Sequence, residues 1–199
     1  MVLSDEGILK SIAKNEIEIE PLDIGPINEG MTEPLIKSQI EKSSQIQPAS
    51  VDLKLGNKLL VYNEGIENID IKNIPEPDEV REGNELVLKS GEFALASTKE
   101  RIKIPNNIYA EIKGRSSIGR AGFHIHTAGW VDPGYDGQIT LELVNHSPAD
   151  ITLYEDMRIC QIIFGLLETP AKIGYGEQKD SKYQNQEGPT PSKIDKDFE

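Results

Sequence analysis

Cysteine is almost missing from this chain, with one thiol, Cys160, among 199 residues. A single thiol closes no internal disulfide and builds no cysteine-rich zinc site, so Cys160 reads as a small buried apolar side chain. Long apolar runs are missing too. No window approaches the ~20 consecutive apolar residues that a bilayer crossing needs. The start, Met1-Val2-Leu3-Ser4-Asp5-Glu6, has neither the basic residues nor the apolar run of a secretion signal. The expectation is a soluble cytoplasmic protein with no membrane partner. Positive charge is scarce as well: 21 Lys and Arg stand against 34 Asp and Glu, for a formal net charge of -13. Duplex nucleic-acid binders gain most of their affinity by setting Lys and Arg against phosphates, so no nucleic-acid partner is expected.

What is present points to one compact β-rich domain. A chain of this length with 37% apolar residues can bury about 70% of its unfolded surface. Ser4 before Asp5 and Glu6 is an N-cap pattern, and Ile8, Leu9 and Ile12 give the stripe of one short helix. From Val51 the apolar period becomes two. Strands are expected at 51–55, 59–62, 85–89, 93–97, 101–104, 108–112, 138–145, 151–154 and 159–164, many of them separated by Gly or Pro turns such as Asp132-Pro133-Gly134. Short strands at close spacing favour a barrel or jelly-roll sandwich over a parallel sheet. Residues 64–85 hold eight acids against Lys72 and Arg81, and read as a solvated loop without chemistry. The last stretch, from Gly176, is nearly devoid of apolar residues. Its composition favours a disordered end over a segment that orders on a ligand.

Residues 112–131 hold Lys113, Arg115 and Arg120 and no acid, so an anion would choose this part of the chain. In Gly114-Arg115-Ser116-Ser117-Ile118-Gly119-Arg120 the glycines allow close backbone approach, and two guanidiniums and two hydroxyls can converge on phosphate oxygens. The run has neither P-loop nor dinucleotide-binding spacing. Farther on, Ile139, Leu141 and Leu143 mark one apolar strand face, which turns Thr140 and Glu142 to the other. A carboxylate in mid-strand is either solvated on an open face or held in a pocket that tunes it for proton transfer. His124 and His126 share a face, but a third metal ligand is not evident, and the His-x-Glu and Pro-Cys-x-x-Cys elements of zinc deaminases do not occur. Packing or surface roles are the simpler reading of both histidines.

The runs at 114–120 and 127–134, with Ile139-Thr140-Leu141-Glu142-Leu143 and Ser181-Lys182-Tyr183-Gln184-Asn185-Gln186, together resemble the dCTP deaminase family. The likeness extends from Leu3-Ser4-Asp5 through Gln47-Pro48-Ala49-Ser50-Val51-Asp52 to Gly188-Pro189-Thr190-Pro191-Ser192. It implies a mainly β fold, a distorted barrel or jelly-roll of the dUTPase-like type with a short N-terminal helix. It also implies a homotrimer with active sites at subunit interfaces. Residues 1–175 would form the β domain and 176–199 a lid closing over the nucleotide, which reverses the compositional reading of that end.

The implied reaction is hydrolytic deamination of dCTP without zinc, the triphosphate arriving with Mg2+, and dTTP acting as feedback inhibitor. Glu142 matches the general acid/base, Ser116 and the Ala128 carbonyl the groups that position the attacking water, and Arg120 the arginine beside them. Arg115, Ser116 and Ser117 fall where the family binds phosphates, Ile118 and Gly119 at further substrate-binding positions beside them, Asp132 where it binds deoxyribose, and Thr140, Leu141 and Glu142 where it meets the pyrimidine. Gln161, Tyr175, Lys182 and Gln186 match further ligand positions. Gly129-Trp130 resembles the bifunctional members that carry dUTP on to dUMP, whereas members that only deaminate can carry His-Arg there. One departure is a loop between Arg120 and Thr127 that is one residue shorter than in several members. Two rivals remain: a plain dUTPase on the same fold, with Asp132 serving its water, and a nucleotide-sensing module without turnover.

Overall fold

In the computed structural model, which describes residues 1–62, 65–126 and 129–198, sequence alternation becomes antiparallel sheet. In chain order the elements are α1 (Asp5–Ala13), β1 (Glu18–Glu20), α2 (Glu33–Lys42), β2 (Ile46–Gln47), β3 (Ser50–Lys54), β4 (Lys58–Val61), β5 (Glu79–Glu82), β6 (Glu85–Leu88), β7 (Phe93–Lys103), β8 (Ile108–Gly114), α3 (Ser116–Arg120), β9 (Phe123–His126), β10 (Trp130–Val131), β11 (Asp136–Asn145), β12 (Ile151–Tyr154) and β13 (Arg158–Leu166). One six-stranded sheet runs β5-β4-β7-β11-β9, with β1 also on β7; a five-stranded sheet runs β10-β8-β13-β3-β2; and β12 pairs with β6. Leu141 and Leu143 of the first sheet and Leu53 and Ile162 of the second belong to one buried core. Each such side chain contributes about 1.5–3 kcal/mol by leaving water. The mainly β expectation holds.

The short N-terminal helix is where its cap predicts it: Ser4 Oγ accepts from Gly7 N at 3.3 Å, and Ile8 and Leu9 are buried. Three expectations need correction. α2 was not foreseen, although Pro34 in its first turn and the buried Ile36 are ordinary helix signals. The strands expected at 93–97 and 101–104 are one strand, β7, which runs on through an irregularity: its register with β11 shifts between Gln138 and Thr140, and the extra residues, 98–100 against Ile139, lie on β7 itself. Residues 64–85 are not all loop, since β5 within them pairs with β4, Leu60 opposite Val80. No helix among the described residues is long and apolar enough to cross a membrane.

Candidate active site

A cavity of about 810 Å³ opens between the two sheets. β11 supplies Ile139, Thr140, Leu141 and Glu142, β9 supplies His126, and Gly129, Trp130, Val131 and Asp132 come from β10 and its flanks. Tyr175 stands at one side, and the carboxy-terminal stretch adds Tyr183, Gln186, Thr190 and Ser192. The acidic segment, read from sequence as inert, contributes Ile66, Ile69 and Ile74 to the wall. Its acids had masked them: three isoleucines among many carboxylates leave no clean period to detect.

Glu142 lies directly opposite His126 on β9 and Leu95 on β7. Burial pushes its carboxyl above the usual carboxylate range, against smaller opposing pulls from its backbone hydrogen bond and from His126. Of the two readings left open by the sequence, the pocket is the one found. The neighbouring histidine was missed as a cavity residue because it was weighed with His124. Those two go separate ways: the His124 ring packs edge-on against His146 at 5.1 Å, while His126 faces the cavity.

Asp132 opens a tight turn in which Tyr135 N donates to Asp132 O at 3.1 Å and Gly134 has φ +84°. Proline at the second position and a left-handed glycine at the third make this a type II turn, as the sequence suggested. A side chain at Gly134 would also meet Asn106 Oδ1 and Gly174 Cα, each at 2.8 Å. The Asp132 carboxylate accepts from Trp130 Nε1 at 2.9 Å. Trp130 itself stacks on Tyr109, with ring centroids 4.7 Å apart and planes 14° from parallel.

The end of the chain is laid along β11. Asn185 N donates to Asp136 O at 2.7 Å, Gln138 N to Gln186 O at 3.0 Å, Gly188 N to the Gln138 side chain at 2.5 Å, and Thr190 N to Thr140 Oγ1 at 3.1 Å. Tyr175 anchors the approach, its hydroxyl accepting from Lys182 N at 3.2 Å and Tyr183 N at 3.0 Å. Backbone bonds to an existing strand, rather than apolar burial, hold this stretch, and composition carries no signal for them. Gln186 Nε2 donates to Gln138 O at 2.5 Å, while its buried Oε1 has no partner among the described residues. Lys182 pairs with Asp197.

The cationic run stands elsewhere. Ser116, Ser117, Gly119 and Arg120 are exposed on α3, with Ile118 half-buried, and none of them lines the cavity. Arg115 is tied back: its Nε lies 3.2 Å from Asp52 Oδ2 and its Nη1 donates to Arg158 O at 2.8 Å. Arg158 reaches the same Asp52 oxygen at 3.3 Å. Asp52 is 3% exposed, and burial raises its carboxyl although both arginines pull the other way. Gln161 sits opposite Asp52 in the sheet and accepts from Ser50 Oγ at 3.3 Å. Thus one copy of the chain gathers Glu142, Thr140, Leu141, Asp132, Gly129, Trp130, Tyr175 and Gln186, and leaves Arg115 to Arg120 and Gln161 outside. Ala128 lies outside the described residues. Among the described residues no three His, Cys, Asp or Glu side chains gather as a metal site.

Residues 2–167 match the family described as dCTP deaminase-like. A relative from Dictyoglomus turgidum, described as a dUMP-forming dCTP deaminase, is 42% identical over 205 residues, covering 100% of this chain and 97% of its own length. One from Halorubrum lacusprofundi, described as a dCTP deaminase, is 43% identical over 209 residues, with 100% and 94% covered. Among solved structures, the 2'-deoxycytidine 5'-triphosphate deaminase of Agrobacterium tumefaciens has a similar fold, with a TM-score of 0.58 at 20% identity. That alignment covers 83% of this chain and 48% of the other.

Proposed function

The chain belongs to the dCTP deaminase-like family, and from that membership we propose that it hydrolyses dCTP to dUTP and ammonia and carries dUTP, with a second water, to dUMP and diphosphate. The observation that carries this reading is Glu142, a carboxyl raised by burial on the wall of a cavity. Neutral water is a poor nucleophile, and a carboxylate with a raised pKa is a better base than an ordinary one and readily returns the proton. Glu142 takes a proton from water as the oxygen bonds to C4 of the cytosine ring. The C4=N3 π pair moves to N3 as that bond forms. Glu142 then gives its proton to the amino group, the C4–N bond breaks, ammonia leaves, and the proton remaining on the new hydroxyl ends on N3 as C4=O forms.

Thr140 and Leu141 border the pyrimidine and Asp132 receives the sugar. Ser116 and the Ala128 carbonyl hold the water, with Arg120 beside them. Arg115, Ser116, Ser117, Ile118 and Gly119, together with Gln161 and Lys182, meet the triphosphate, whose Mg2+ enters as part of the substrate. Because the cationic turn and the cavity are separate within one copy, this reading has the turn of one subunit serve the cavity of another, in a homotrimer. Residues 176–199 act as the lid, with Tyr175 and Gln186 touching ligand. Gly129 and Trp130 support the second hydrolysis, the activity named for the Dictyoglomus relative. dTTP competes for the same cavity as a feedback inhibitor.

The test is to incubate dCTP and magnesium with the full chain, measure ammonia, and resolve dUTP from dUMP. Ammonia with dUMP is the expected result. Ammonia with accumulating dUTP would remove the second step, dUTP hydrolysis without ammonia would make the protein a plain dUTPase, and absence of any turnover would overturn the reading.

A further inference from the structure

Asp132 is held by more than its turn. Its Oδ1 accepts from the indole of Trp130, and that indole is 54% exposed. An exposed aromatic ring on a two-residue strand would ordinarily sample several rotamers. Here the ring is fixed from behind by Tyr109, lying nearly parallel at 4.7 Å. Tyr109 in turn lies over Gly165 of β13, its direct cross-strand partner. A Cβ at Gly165 would sit 2.3 Å from Tyr109 Cζ, so the tyrosine occupies the space that any side chain at 165 would need. Aromatic covering of a strand glycine in this manner fixes the ring against the sheet.

We infer that Gly165, Tyr109 and Trp130 form a stack that positions the Asp132 carboxylate for the sugar, so that Trp130 is a positioning residue for recognition of the sugar hydroxyl. The inference rests on the reading in which Asp132 receives the sugar. A 2'-deoxyribose 5'-triphosphate carries one free hydroxyl, at the 3' position, and a carboxylate can only accept from it. With Oδ1 engaged by the indole, Oδ2 is left to take that proton in one orientation. An unrestrained carboxylate would lose rotamer freedom on each binding event.

The experiment compares dCTP with 2',3'-dideoxy-CTP, which lacks the hydroxyl, on the full-length protein. Trp130→Phe keeps a ring on Tyr109 but removes the N–H donor. It should raise KM for dCTP about fivefold, the loss of one hydrogen bond, while KM for the dideoxy substrate stays within about twofold and kcat for ammonia release moves little. Gly165→Ala should reproduce this split by displacing Tyr109. It should also red-shift the emission of Trp130, the only tryptophan in the sequence, as its ring loses its backing. Equal losses on both substrates, or no change on either, would overturn the positioning role. Asp132→Asn separates this failure from failure of the underlying reading: if it erases the preference for the hydroxyl while Trp130→Phe does not, only the stack is wrong. If Asp132→Asn leaves the preference intact, the sugar contact falls and the inference with it.

Discussion

The cavity around Glu142 and the cationic turn around α3 are built in opposite ways. The cavity is lined largely by side chains that the strands hold in place, and of its two carboxyls, Asp132 and Glu142, the second is raised by burial; the turn is exposed and Arg115 is pinned from below by a buried aspartate. On the proposed function, the contrast follows from what each would recognise. A nucleobase offers a flat, mostly apolar surface that rewards shape and exclusion of water, whereas a triphosphate offers charge and is met by groups that can reach it from outside. On the reading proposed above, the cavity is nearly complete in one copy of the chain, and the turn is the half that would present itself to another.

Four measurements break or sharpen this contrast, the largest effect first. Glu142→Gln should lower ammonia release by about 10³-fold, with nucleotide affinity changed by less than about tenfold in calorimetry, because it removes the base and keeps the shape. If affinity collapses too, the cavity is a binding wall and not the seat of chemistry. Ending the chain after Glu177 removes the segment laid along β11 and should cost about 10² in kcat/KM, with the sheets still folded by circular dichroism. Asp52→Ala unmoors Arg115 and Arg158 and should destabilise the fold by about 2 kcal/mol in urea titration, with KM for dCTP rising as the turn loosens.

The smallest effect concerns pH. With Glu142 as the proposed base, deamination needs it ionised, so activity should fall as pH drops through its raised pKa. His126→Gln removes the favourable charge beside it and should move that acid limb farther up in a pH–rate profile. Stability carries the opposite sign. A carboxyl that binds its proton more tightly folded than unfolded contributes fully below the ordinary carboxylate range, and that contribution is lost as pH climbs through the raised value.

Legibility in the sequence follows the same division. Alternation in Ile139 to Leu143 placed Glu142 off the core face, and Asp132-Pro133-Gly134 announced its turn, because both signals are local. The break in pairing at 98–100 of β7 escaped the rule, since a bulge shows only against the partner strand and alternation alone does not record it. The anchor of Arg115 had no signal at all: Asp52 is distant in the chain, and only the sheet brings it near. The acidic segment was misread because charge hid three isoleucines. The carboxy-terminal stretch was misread by composition because its backbone N–H groups and Gln186 bond to partners outside it, among them Gln138, Thr140 and the Tyr175 hydroxyl, which its own composition does not record.

One consequence of that stretch concerns timing. Its bonds end on Gln138 and Thr140, the residues that lead along β11 straight to Glu142. If that stretch is the lid proposed above, a product could depart only after those bonds are peeled away, and the strand they leave is the one that carries the acid. Escape of the finished molecule and readiness for the next would then be geared to a single piece of backbone.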